Sequence, residues 1–225
     1  MEKQQKIYCI PGFGTDEKIF THLHLNAQLE FINWLHPQKT ETLQDYAKRM
    51  AAKIQEDNPI IIGVSFGGML AIEMSKLFPV KKIFIISSVK NRNELPTQYK
   101  WAGFLKLNKL FPVKKIVESE LAYKIANKRL GAITPEEKEF ANQYRRFADI
   151  DYTNWSFDKI LNWNNQSYPT NITHIHGDYD QIFPIKYVHP THIIAKGSHM
   201  IIYNRADEIS NIINQEIKNI APDMN

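Results

Sequence analysis

Cysteine is nearly absent from this chain. Cys9 is the single one, so no disulfide can form within it. That excludes the disulfide-stapled scaffolds of small secreted domains and points to a reducing compartment. Cys9 lies in the apolar run Ile7-Tyr8-Cys9-Ile10, where a thiol is expected to be buried and inert. Long hydrophobic runs are missing as well. No stretch approaches the roughly 20 apolar residues needed to cross a bilayer. The opening Met-Glu-Lys-Gln-Gln-Lys has no signal-peptide core. The expectation is a cytoplasmic protein without an integral membrane segment. The sequons at Asn154, Asn165 and Asn171 would then never meet the glycosylation machinery. Excess charge is modest. A net charge of +4 does not by itself imply nucleic acid binding. Internal repeats and low-complexity linkers are absent too.

What is present is an ordinary globular composition, 43% hydrophobic and 23% charged over 225 residues. That is enough chain to bury one sizeable core. Apolar, β-rich runs alternate with helical patterns. Strands are expected at Lys6 to Ile10, Glu30 to Leu35, Pro59 to Val64, Lys82 to Ser87, Asn171 to His176 and His192 to Ala195. The unbroken run Pro59-Ile60-Ile61-Ile62-Gly63-Val64 reads as a strand covered on both faces. Leu43, Tyr46, Ala47, Met50 and Ile54 recur at helical spacing, as do Met69, Leu70, Met74 and Leu77. Ile209, Ile212, Ile213, Ile217 and Ile220 form the stripe of a C-terminal helix. The alternation predicts an α/β fold: a mostly parallel sheet of about six strands with helices on both faces.

One stretch breaks the pattern. Residues 91–166 carry helical patterns and no convincing strand. Thr134-Pro135-Glu136-Glu137 reads as a helix start with a capping box. The division expected is a core at 1–90 and 167–225 with an inserted helical lid at 91–166.

The chemistry begins at Gly63-Val64-Ser65-Phe66-Gly67-Gly68. This G-x-S-x-G sequence follows a predicted strand and precedes a predicted helix, the context of a nucleophile elbow. The glycines let strand and helix approach closely. Ser65 is the candidate nucleophile. The Phe66 amide, at the helix N-terminus, is placed to hold a developing oxyanion. A second donor is expected after the first strand, where Pro11-Gly12-Phe13-Gly14 presents the Phe13 amide. These glycines do not fit the G-x-G-x-x-G of a dinucleotide loop.

A triad built on Ser65 needs an acid and then a base downstream. Asp178 and Asp180 lie in the loop after the fifth strand, and His199 follows the sixth in Gly197-Ser198-His199. Asp180 is preferred as the acid for its place before Ile182-Phe183-Pro184, and Asp178 would then brace the loop. His174 and His176 share one side of a strand. They read as packed or hydrogen-bonded residues, since no third metal ligand accompanies them at a sensible spacing.

With these residues in view, the chain resembles the α/β-hydrolase superfamily, as a small serine hydrolase with a helical lid. The likeness runs from Pro11-Gly12-Phe13-Gly14 through the Ser65 elbow and His176-Gly177-Asp178-Tyr179-Asp180 to Gly197-Ser198-His199. It implies Ser65 as nucleophile, His199 as base, Asp180 as acid and the Phe13 and Phe66 amides as oxyanion hole, with no metal or organic cofactor. Two departures stand out. Many relatives have His-Gly where this chain has Pro11-Gly12, and there is no room before Lys6 for the family's two extra N-terminal strands. The interval from Asp180 to His199 is also short.

The expected reaction is cleavage of a small-molecule carboxylic ester or thioester through an acyl-enzyme. A lyase or C–C bond hydrolase using the same triad, and a non-catalytic binding protein, are the alternatives. Trp101, Phe104 and Leu107 are the expected substrate-binding residues, as apolar side chains of the lid. Residues 81–129 also hold 12 lysines and arginines against 3 glutamates. The plain reading is a solvated basic face; the sharper one is attraction for an acidic substrate or an anionic membrane surface.

Overall fold

The computed structural model describes residues 5–106 and 119–220. Six strands form one parallel sheet: β1 (Lys6–Ile10), β2 (Gln28–Phe31), β3 (Ile60–Val64), β4 (Lys82–Ile86), β5 (Ile172–Gly177) and β6 (His192–Ile194). The order across the sheet is β2-β1-β3-β4-β5-β6. The chain therefore steps one way from β1 to β2 and the other way from β3 onward. The crevice at such a reversal, beyond the C-terminal ends of the strands, is where open α/β sheets bind ligands. Here the reversal lies between β1 and β3, with Ile10 beside Gly63.

Side-chain alternation along the strands builds two cores. Tyr8, Ile10, Ile61, Ile83 and Ile85 pack on one face with α1 (Leu43–Ala51) and α2 (Phe66–Met74). Ile7, Cys9, Ile60, Ile62, Phe84 and Ile86 pack on the other with the C-terminal helix Ala206–Lys218. That helix buries Ile209, Ile213 and Ile217, as its stripe predicts. Every residue of α2 is buried, Glu73 included. The Glu73 carboxylate accepts from Trp163 Nε1 at 2.7 Å and from Lys76 Nζ at 2.8 Å, which offsets its desolvation. Cys9 is fully buried, and burial raises its thiol pKa far above the usual value.

The second strand departs from expectation. It spans Gln28–Phe31, not Glu30 to Leu35. Ile32 still donates to the Cys9 carbonyl. After it the chain leaves the sheet, because Trp34 donates through Nε1 to the Gly12 carbonyl and Leu35 exchanges hydrogen bonds with the Tyr46 hydroxyl. Side-chain anchoring overrides the strand pattern there.

Between β4 and β5 the described residues form helices and no strand: α3 (Thr97–Phe104), α4 (Glu120–Leu130), α5 (Pro135–Arg146) and α6 (Ile150–Leu161). α5 opens with the expected capping box of Thr134 and Glu137. Helix α6 covers the first core through Trp155, whose ring lies 4.5 Å from that of Tyr46. Helix α5 leans on the opposite side, with Phe140 stacked on Tyr203 at 4.2 Å. Among the described residues, no helix is long and apolar enough to cross a membrane.

Candidate active site

Ser65 stands between β3 and α2 with φ 52° and ψ −117°. A non-glycine residue in that region is strained, and such strain persists only where surrounding structure enforces it. The enforcement is visible in the flanking glycines. A Cβ on Gly63 would lie 2.5 Å from the Gly67 carbonyl oxygen, and one on Gly67 would lie 2.3 Å from that of Pro11. Neither position accepts a side chain, so strand, helix and the loop after β1 close tightly around the serine. Ser88, just beyond β4, adds a tie by donating from Oγ to the Ser65 carbonyl at 2.6 Å.

The loop after β1 reaches the serine. A Cβ on Gly12 would sit 3.7 Å from the Ser65 Cβ, so the Phe13 amide follows a residue already in contact with the elbow. The Gly12 carbonyl accepts from Trp34 Nε1 at 2.9 Å and from Thr15 Oγ1 at 2.9 Å. These bonds fix the loop. The Phe13 ring lies against Tyr152 and Phe157, with centroids 5.9 and 5.0 Å away. Trp34 stacks on Phe66 at 5.2 Å. An aromatic wall thus backs both candidate oxyanion donors.

The downstream residues converge on the same point. His199 Nε2 lies 3.0 Å from Ser65 Oγ, and His199 Nδ1 lies 2.7 Å from Asp180 Oδ2. Asp180 Oδ1 accepts from the amides of Ile182 and Phe183 at 2.7 and 2.9 Å. Burial raises the Asp180 pKa, but His199, His176 and the Phe183 amide together hold it below the usual carboxylate value. An ionised carboxylate only accepts, so His199 Nδ1 carries the hydrogen and Nε2 is left free to accept from the serine.

Two loops zip together to make this possible. β5 and β6 are neighbours. Beyond them Asp178 N donates to the Ile194 carbonyl and Tyr179 N to that of Gly197. A Cβ on Gly177 would lie 2.2 Å from the Gly197 carbonyl oxygen. The short Asp180-to-His199 interval follows from the crossover, which contains the single 3-10 turn Ile185–Tyr187 and no full helix. Asp178 is not in this relay: its Oδ1 is buried with no partner among the described residues, and its amide, bonded to the Ile194 carbonyl, braces the loop.

His174 and His176 are buried and hydrogen-bonded to each other at 3.1 Å. Burial lowers the pKa of both. Among the described residues, no group of three or more His, Cys, Asp and Glu is arranged to hold a metal ion.

The lid residues are placed differently from the triad. Trp101 is 59% and Phe104 73% exposed, packed edge to face on each other. Leu107 lies outside the described residues. The inward face of α3 belongs to Gly103, which abuts Leu161, and to Tyr99, whose ring meets Phe183 edge-on at 6.2 Å. Phe183 in turn lies 5.8 Å from the His199 ring. Arg129 donates to the Tyr99 hydroxyl at 3.1 Å and to the Gln181 carbonyl at 3.4 Å. Trp34, Tyr99, Arg129 and Tyr152 were not legible as site residues. Contacts between residues far apart in sequence bring them together.

Comparison with known proteins agrees with the architecture. An N-acyl homoserine lactonase AidH variant complexed with N-hexanoyl homoserine superposes with a TM-score of 0.68 at 13% identity, over 97% of this chain and 90% of its own. An epoxide hydrolase from Bacillus megaterium gives 0.72 at 10% identity, over 96% and 94%. A thermophilic esterase from Thermogutta terrifontis gives 0.67 at 11% identity, over 97% and 91%. At such identities the likeness establishes the fold, which is that of the α/β-hydrolases. No curated protein matches the chain in sequence. The model of Uncharacterised protein family (UPF0227) matches residues 15–131, more than half of the 225 residues, and the chain belongs to that family.

Proposed function

We propose that this protein is a cytoplasmic serine hydrolase that cleaves a small-molecule carboxylic ester or thioester. The observation that carries this reading is the continuous relay from Ser65 Oγ through His199 to Asp180 at a strained elbow. His199 takes the Ser65 proton as the oxygen attacks the carbonyl carbon. Asp180 keeps the imidazole in its tautomer and stabilises the imidazolium that forms. The Phe13 and Phe66 amides hold the tetrahedral oxyanion. Collapse expels the leaving group, protonated by His199. Water, deprotonated by the same imidazole, then releases the acid and regenerates Ser65. The chain's own groups supply each step, so no cofactor enters it.

Residues 91–166 act as the lid over this cleft. The Phe13, Tyr152 and Phe157 wall and the Tyr99–Phe183 pair bound the acyl site. Trp101 and Phe104 contribute at its outer rim, where they meet long acyl chains, and Leu107, outside the described residues, is proposed as a substrate contact from its sequence alone. The three structural neighbours differ in the reaction their names describe, so fold does not select the bond cleaved. Turnover across matched acyl esters, acyl thioesters and cyanohydrins tests the choice. Cleavage of esters or thioesters supports it; activity confined to cyanohydrins would assign the triad to lyase chemistry.

A further inference from the structure

The sheet face that carries the first core changes character at β5. In β4 that face holds Ile83 and Ile85. In β5 it holds His174, in register with Ile85, and then His176. The intervening Ile175 belongs to the second core. Both imidazoles are buried, His174 to 1% exposure and His176 to 0%. An isoleucine would pack there at no polar cost, whereas a buried ring nitrogen costs free energy unless it finds a partner. Packing alone therefore does not account for the pair.

The partners form a directed chain that ends on the triad acid. His174 Nδ1 is buried with no hydrogen-bond partner among the described residues. Its hydrogen therefore sits on Nε2, 3.1 Å from His176 Nδ1, which accepts it. His176 carries its own hydrogen on Nε2, 2.8 Å from the Phe183 carbonyl oxygen and 3.4 Å from Asp180 Oδ2. His199 Nδ1 approaches the same Oδ2 at 2.7 Å, while Oδ1 is held by the Ile182 and Phe183 amides. Oδ2 thus faces two imidazole N–H groups. The titratable groups around His176 are His174 on its own strand, Asp180 and His199 in the two loops, and Glu94 in the 3-10 turn Arg92–Glu94. Lys90 faces His174. Burial is the largest influence on both rings and lowers both pKa values, so both are neutral at physiological pH.

We propose that His176, its tautomer fixed by His174, is a positioning residue of the hydrolytic relay: its Nε2–H shares Asp180 Oδ2 with His199, aiming the carboxylate and limiting how tightly it holds the imidazolium. The inference rests on the hydrolase reading above and adds a residue that acts through Asp180. A neutral N–H leaves the Asp180 charge in place and draws on part of it. Without that donor, more of the charge falls on His199, which then keeps its proton to higher pH.

The test places an amide at one ring-nitrogen position or the other. The His176→Gln amide reaches the position of Nε2 and keeps a donor toward Phe183 and Asp180. The His176→Asn amide reaches only the position of Nδ1, toward His174. With p-nitrophenyl butyrate, His176→Asn should lower kcat roughly tenfold with KM unchanged, and His176→Gln should recover most of the loss. The acidic limb of the kcat/KM profile should move up by about half a pH unit in His176→Asn and stay in place in His176→Gln. A second measurement follows the His199 ring by proton NMR against pH in Ser65→Ala protein, alone and with each His176 variant. It reads the support without chemistry, and so separates failure of the support from failure of the serine as nucleophile. The His199 midpoint should rise with His176→Asn and not with His176→Gln. Circular dichroism checks that both variants fold. Equal losses in the two variants, or a His199 midpoint that His176→Asn leaves unchanged, overturn the proposal.

Discussion

His176 Nε2 lies 3.4 Å from Asp180 Oδ2 and 2.8 Å from the Phe183 carbonyl oxygen. A carbonyl only accepts, so Nε2 carries the hydrogen, and Nδ1 of a neutral His176 accepts from His174 Nε2. Asp180 is thereby held between two imidazoles, His176 behind it and His199 in front. This buried arrangement, and not merely the loop's sequence, separates Asp180 from Asp178.

Asp180→Asn should lower turnover by roughly 10⁴, because it removes the charge that pairs with the imidazolium and fixes the tautomer. Asp178→Asn should change turnover little, since that carboxylate has no recorded part in the relay. Steady-state kinetics of both variants decide the matter. A larger loss at Asp178 would contradict the assignment.

The tight contact at Gly67 predicts a large stability loss on substitution. Gly67→Ala should cost about 2 kcal/mol or more, as its methyl meets backbone that cannot move aside. Gly14→Ala offers a contrast. No atom lies within 4 Å of a Cβ there, but φ is +65°, so the cost should be about 1 kcal/mol. Urea denaturation ranks the two. Equal effects would mean the elbow is looser than its geometry states.

Most of this site was legible because its signals are local. A buried strand, a glycine-flanked serine and a helix follow one another within Ile60 to Met74, and the structure keeps them in that order. The β-rich runs likewise place β1, β3, β4 and β5 close to their observed spans. The end of β2 was not legible, because the anchor that pulls Trp34 out of the sheet is the carbonyl of Gly12, a distant residue. The inward face of α3 was hidden for a related reason. Trp101 and Phe104 outrank Tyr99 in apolar character, yet Gly103 is the residue small enough to let α3 approach Leu161. That approach turns Tyr99 inward and leaves Trp101 and Phe104 exposed.

The lid residues should act on chain length and not on serine reactivity. Trp101→Ala and Phe104→Ala should leave short p-nitrophenyl esters nearly unaffected and reduce kcat/KM for long ones. The change should be graded, since a methylene in an apolar contact is worth about 1–3 kcal/mol. Leu107→Ala should follow the same pattern. An unchanged chain-length profile in all three variants would remove them from the substrate path.

Glu137 makes a pH-dependent contribution to stability. Its carboxylate accepts from the amides of Ile133 and Thr134 and from Asn204 Nδ2 at 2.6, 3.0 and 2.8 Å. Burial raises its pKa, but these hydrogen bonds outweigh burial and hold it below the usual value. A depressed folded-state pKa gives stability that is complete above the unfolded value, about 4.3. It is lost as pH falls through the folded value. Glu137→Gln should therefore destabilise by about 1–3 kcal/mol at neutral pH, with a smaller difference from wild type near pH 3. Denaturation of both proteins at each pH tests this. A difference that grows on acidification would reverse the sign.

The central claim is that Ser65 is an activated nucleophile, and fluorophosphonate labelling tests it most directly. One equivalent of probe should couple to wild-type protein, at Ser65 by peptide mass mapping. Ser65→Ala should take up none, keep its fold by circular dichroism and lose turnover on the order of 10⁴ to 10⁶. Wild-type protein that does not label, or a folded Ser65→Ala variant that labels and turns over like wild type, would contradict the account.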